Sequence, residues 1–169
     1  FIPGKKKKDW GFVVPKHVIP PAGARIMDLQ HPERKMSKSE SSPAGTISVL
    51  ESPESITKKI KRAVTDSDGD VRFDVEEKPG VSNLLSILAA ATSSTPEMIA
   101  SSYSRYGDLK SDTADAVIAL LRPIQEKFRE LESDPSETSR LLTLGSSKAR
   151  DISSATLGRA MQNIGLLET

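Results

Sequence analysis

Two lysines and two serines fall within one pentapeptide, Lys35-Met36-Ser37-Lys38-Ser39. It lies in a run with neither helical nor strand periodicity, after an apolar stretch with small residues, Gly23 to Leu29, and before a region that turns helical. Lysine ammonium groups supply mobile positive charge, and serine hydroxyls and loop N–H groups supply donors. Aimed at one point, such a set suits a polyphosphate whose negative charge grows during a reaction. Taken alone, the same residues also fit a solvated basic loop. A second set of cations, Lys58, Lys59, Lys61 and Arg62, occupies one side of a predicted helix. It fits a solvated face or a contact to RNA phosphates. Lys5 to Lys8 form a further basic run beside the single tryptophan, Trp10, which reads as a packing residue. Neither His17 nor His31 has a second ligand at metal-binding spacing, so no metal site is expected; His31 reads as a turn residue.

These groups need a frame. The chain has 169 residues, enough for one domain or one and a part. Aromatic residues make up only 4%, so the core must rest on aliphatic side chains. A net charge of +1 gives no overall basic field, and any RNA contact must use local patches. The lack of cysteine excludes disulfides and thiolate zinc sites. No apolar run approaches the ~20 residues of a membrane span, and no signal peptide is visible. The chain starts at Phe1, not at methionine, which suits a piece of something longer.

Phe12-Val13-Val14 and Ala24 to Leu29 read as strands, the second by its alternation. Ser52-Pro53-Glu54 is a helix start: a hydroxyl cap, proline at the first position, an early acid. Ile56, Ile60 and Val64 then form its apolar stripe. Asp66-Ser67-Asp68-Gly69-Asp70 opens like a calcium loop, but the sixth position, where the turn requires glycine, is Val71; an acidic turn is expected instead. Val81, Leu84, Leu85, Leu88 and Ala91 predict a buried helix after Pro79-Gly80. Thr95-Pro96-Glu97 opens a helix expected to close at Gly107. A long helix is predicted over 113–131 with a kink at Pro123, and Ser133-Asp134-Pro135 caps the last one. The fold expected is mainly α, four to five helices as a bundle, with a small α/β part.

Gly23 to Leu29 followed by Lys35 to Ser39 resembles the signature of class I aminoacyl-tRNA synthetases. Residues 19–39, 58–74, 78–85 and 121–131 narrow the resemblance to the bacterial tryptophanyl-tRNA synthetases, from about residue 12 to the C-terminus. The stretches AVTDS and KPGVSNLL separate it from the tyrosyl enzymes. The resemblance implies an edge of a Rossmann-type catalytic fold (residues 1–50) followed by a helical anticodon-binding domain (51–169). It implies activation of tryptophan by ATP with Mg2+ and transfer to tRNA(Trp), in a cytoplasmic enzyme that is a homodimer when complete. Lys35 and Lys38 would contact the ATP phosphates, Lys38 acting in the transition state. Ile26 and Met36 would lie against the adenine, and Ser37 and Ser39 would shape the loop. Lys58, Lys59, Lys61 and Arg62 would contact tRNA. The family's other ATP signature and its tryptophan pocket are absent, and residues 1–11 do not match, so the chain alone is expected to be inactive. A free-standing RNA-binding module and one half of a split enzyme remain as alternatives.

Overall fold

The computed structural model describes residues 12–20, 23–39 and 43–166, so Lys5 to Lys8 and Trp10 lie outside the described residues. Five helices follow one another: α1 Pro53–Lys61, α2 Pro79–Thr92, α3 Pro96–Ala100, α4 Tyr106–Ser133 and α5 Pro135–Ile164. Three begin as their sequences dictate. Ser52, Thr95 and Asp134 each turn a side-chain oxygen onto an N–H of the first turn, with proline at the start of the helix.

The chain divides into two compact units. One is Ile19–Phe128; the other holds, among the described residues, 12–18 and 129–166. The core of the first is aliphatic, as the scarcity of aromatics requires. It gathers Ile56 and Ile60 from α1, Val81, Leu84, Leu85 and Leu88 from α2, Leu109, Ala114 and Val117 from α4, and Leu29 and Val71 from the connections. α2 is buried on nearly all sides, which explains its run of small and aliphatic residues. Gly80 lets α2 approach the preceding turn: a Cβ there would stand 2.1 Å from the Val64 carbonyl oxygen.

Three expectations need correction. First, neither Phe12-Val13-Val14 nor Ala24 to Leu29 forms a strand. Residues 12–18 are exposed and have no regular secondary structure, and the second stretch makes one isolated antiparallel bridge, Met27 with Lys35. A strand exists only through its partners, and no further strand lies beside these segments among the described residues. Second, the helix opened by Thr95 stops at Ala100, and Gly107, expected to terminate it, sits in the first turn of α4. Tertiary bonds prevail here over local periodicity. Tyr103 reaches Asp112 at 2.7 Å, and Tyr106 is drawn to the acidic turn at Asp66. Third, the apolar stripe of α4 is buried only as far as Val117, while Ile124 and Phe128 are exposed. Ala160 is the sole buried residue of α5. The helical content agrees with the sequence, but the aliphatic core belongs to residues 29–117.

Candidate functional site

The loop 35–39 grows from a hairpin-like turn. The Asp28 N–H donates to the Arg34 carbonyl at 2.9 Å, and the Met36 N–H to the Ile26 carbonyl at 3.0 Å. Met27 and Lys35 therefore face each other as a non-hydrogen-bonded pair. The turn between them is built by Asp28, whose buried carboxylate accepts the N–H groups of Gln30 at 2.8 Å and His31 at 3.0 Å. This Asx-type bond is a local property of aspartate in turns. His31 is an exposed turn residue beside Glu33.

Lys35 and Lys38 are both exposed. Between them Ser37 is half-buried; its hydroxyl lies 3.2 Å from that of Ser39, and its carbonyl accepts from the Thr46 hydroxyl at 3.4 Å. Ile26 and Met36, the residues expected against the adenine, are neighbours. They line an apolar depression of about 210 Å³ with Ile47, Ile87 and Leu121. The loop thus has two sides, with aliphatic groups turned to α2 and α4 and two ammonium groups outside.

The base of the loop is anchored at three points. The Leu29 N–H donates to the Gly45 carbonyl at 3.0 Å, and the Val64 N–H to the Leu29 carbonyl at 2.8 Å. A Cβ at Gly45 would collide with the Asp28 carboxylate and force it to shift from the N–H groups of Gln30 and His31. The third anchor comes from α2, where the Asn83 side chain accepts from the Met27 N–H and donates to the Met27 carbonyl, both at 2.8 Å.

The basic helix divides its cations. Lys58, Lys61 and Arg62 are exposed. Lys59 is turned inward: it pairs with Glu51 and donates to the Thr46 carbonyl at 2.7 Å. Burial pushes the Glu51 carboxyl the other way, but hydrogen bonds from Lys59, Ser55 and the Ser48 N–H hold it below the usual carboxylate range. Of the four cations expected on the RNA face, one is therefore occupied in joining α1 to the segment after the loop.

Sequence reasoning missed the role of Lys78. It precedes α2, is fully buried, and reaches Asp66 at 3.0 Å, Asp68, and the Tyr106 phenol at 3.0 Å. The carboxylates that suggested a calcium loop face this ammonium. Burial disfavours its charge, yet the bonds to Asp68, Tyr106 and Asp66 raise its pKa. Lys78 in turn holds Asp68 well below the usual carboxylate range. The available signal was an acidic turn on the N-terminal side with no basic neighbour except Arg72.

The family model of class I tRNA synthetases (W and Y) matches residues 2–122, so the similarity begins ahead of residue 12, and the expectation that residues 1–11 fall outside the family is corrected. The chain belongs to that family of class I synthetases. Within it, the chain is 46% identical over 157 residues to tryptophan--tRNA ligase 1 of Streptomyces avermitilis, covering 93% of this chain and 47% of the relative. It is 48% identical over 158 residues to the tryptophan--tRNA ligase of Oceanobacillus iheyensis, with 92% and 48% covered. The crystal structure of tryptophanyl-tRNA synthetase from Mycoplasma pneumoniae aligns with a TM-score of 0.77 at 32% identity, over 85% of this chain and 46% of that one. That from Campylobacter jejuni, complexed with ADP and tryptophan, aligns with a TM-score of 0.56 at 26% identity, over 84% and 44%. The chain spans about half the length of the curated relatives it matches.

Proposed function

We propose that this chain is the C-terminal portion of a tryptophan--tRNA ligase and carries the loop that acts on ATP. The observation that carries the reading is the loop itself: Lys35 and Lys38 stand exposed on a turn whose base is held by hydrogen bonds, in a chain 46% identical to such a ligase. Residues 1–50 are the edge of the Rossmann-type catalytic domain, and 51–169 the tRNA-binding domain. In the reaction, the tryptophan carboxylate attacks the α-phosphorus of ATP. The bond to the bridging oxygen breaks, and pyrophosphate leaves with its electron pair. Lys35 holds the phosphates. Lys38 meets the charge that grows on the leaving group, where a preorganised donor lowers the barrier most. Mg2+ arrives with the ATP as part of the substrate. Ile26 and Met36 supply an apolar wall for the adenine, and Ser37 and Ser39 fix the loop's shape. The binding of ADP and tryptophan by the Campylobacter jejuni neighbour supports this choice of ligands.

Lys58, Lys61 and Arg62 are the exposed candidates for tRNA phosphates, with Lys59 behind them. Tryptophan, ATP and tRNA(Trp) are partners of the complete enzyme, a cytoplasmic homodimer; this portion alone is inactive. Among the described residues no helix is long and apolar enough to cross a membrane.

The test is tryptophan-dependent pyrophosphate exchange in the complete synthetase. Lys38→Ala slows exchange by about 10²–10³-fold, as loss of one preorganised donor does, while apparent ATP affinity changes much less. An alanine variant that raised the ATP KM alone and kept its turnover would refute the transition-state role.

A further inference from the structure

Resting on that reading, we propose that Asn83 is a positioning residue for the ATP loop. It acts by fixing the backbone opposite Lys35. The argument starts from the geometry of an antiparallel bridge. Ile26 and Asp28 point their carbonyl and N–H groups at the second arm of the turn, where Met36 and Arg34 satisfy them. The N–H and carbonyl of Met27 must then point the other way. In a sheet another strand would take both. Here the Asn83 carboxamide takes both, at 2.8 Å each, from 56 residues away in sequence. A carboxamide carries a donor and an acceptor on one planar group, as a peptide does, so it can stand in for one peptide of a strand.

The contact is built to be rigid. Asn83 lies in the middle of α2, the most buried helix, and only 4% of the residue is exposed. α2 is itself fixed just before its first turn by buried Lys78. The clamp therefore passes the position of a core helix to Met27, and through the bridge to Lys35. Lys38 is three residues further on, within about 10 Å of chain. Asn83 acts on the loop through the Met27 backbone and hydrogen-bonds neither lysine. Without it, two buried backbone groups lose their partners, and the loop's first arm can shift or admit water. A displacement of about 1 Å at a reacting group can cost on the order of 10² in rate.

The experiment uses the complete synthetase with Asn83→Leu, which keeps the branching of the side chain and disfavours the helix no more than asparagine does, but removes both bonds. Tryptophan-dependent pyrophosphate exchange slows about 10- to 100-fold in turnover, while the tryptophan KM stays within about twofold, because tryptophan does not bind on this loop. Amide hydrogen exchange at Met27 and Met36 speeds up, whereas that of the α2 core does not. Ser86→Ala, one turn along α2, where the hydroxyl donates to the Ser82 carbonyl, leaves the rate unchanged. If Asn83→Leu melts far below the parent, Asn83→Ser is assayed at a temperature where it is folded, and the same split is expected. Lys38→Ala serves as the reference for the underlying reading. Unchanged turnover in Asn83→Leu beside a slow Lys38→Ala overturns the role of Asn83 and leaves the loop's function standing. A parallel loss of turnover and tryptophan affinity, with α2 exchanging faster, makes Asn83 a plain fold residue. Unchanged exchange in Lys38→Ala overturns the reading of the loop, and the positioning role falls with it.

Discussion

At the scale of single residues, the acidic turn and Lys78 form the strongest electrostatic feature of the described chain, and Tyr106 reports on it. Tyr106 donates to Asp66 and accepts from Lys78. Burial, then the bond to Asp66, pushes its phenol up to about 12. Tyr103 is pushed up to about 12 as well, by burial and by its bond to Asp112. These are the only two tyrosines of the chain. A spectrophotometric titration of the folded protein should therefore show no phenolate at pH 10, where an unperturbed tyrosine is half ionised, and both should appear together near pH 12. The sign for stability follows. Lys78 and Tyr106 have raised folded values, so their contribution is complete below about pH 10 and is lost as pH rises through the folded values. Asp66 and Asp68 have lowered ones, so theirs is complete above about pH 4 and is lost as pH falls. A tyrosine ionising near pH 10 without loss of structure would show that the cluster does not hold. The acidic turn was legible in the sequence, but its partners were not, because Lys78 and Tyr106 lie 10 to 40 positions from the carboxylates they meet in space. The same is true of Asn83. Residues 35–39, by contrast, were legible as a loop, since the pentapeptide lies in a run without helical or strand periodicity.

At the scale of elements, the helix starts were legible for a local reason: Ser52, Thr95 and Asp134 each cap the turn that follows within three residues. The ends were harder. Gly107 was expected as a stop, but a glycine's meaning depends on what surrounds it. Gly80 and Gly145 make the contrast measurable. Both lie inside helices, and alanine is the better helix former by about 1 kcal/mol. At Gly145 nothing lies within 4 Å of an added Cβ, so Gly145→Ala should stabilise the chain by about 0.5–1 kcal/mol. At Gly80 the added carbon meets backbone at 2.1 Å, which a flexible side chain cannot relieve. Gly80→Ala should cost about 1–3 kcal/mol, as overpacking does. Chemical denaturation of the two variants against the parent decides it. Equal effects would mean that α2 does not press on the turn at Val64 as described.

At the scale of the whole molecule, the segment at residues 12–19 has apolar side chains and little to bury them. Val13 is 93% exposed and Val18 91%, although valine, isoleucine and phenylalanine there have the composition of a buried strand. The sequence suggested a strand because composition registers what a segment can pair with, while the fold of this chain shows only what it does pair with. If the segment belongs to the catalytic sheet, its partners lie in the part of the synthetase that the relatives have in addition to the length matched here. One substitution then has two different effects. Val13→Asp in the 169-residue chain changes stability by no more than about 0.5 kcal/mol, as for other exposed positions. In the complete synthetase the same carboxylate enters a sheet interior. There it costs about 2 kcal/mol or more, from lost apolar burial and from an unpaired polar group. Parallel denaturation of both proteins, each with and without the substitution, measures the difference directly. A small effect in both would make residues 12–19 a solvated arm, and the Rossmann-type edge would have to begin after Ile19.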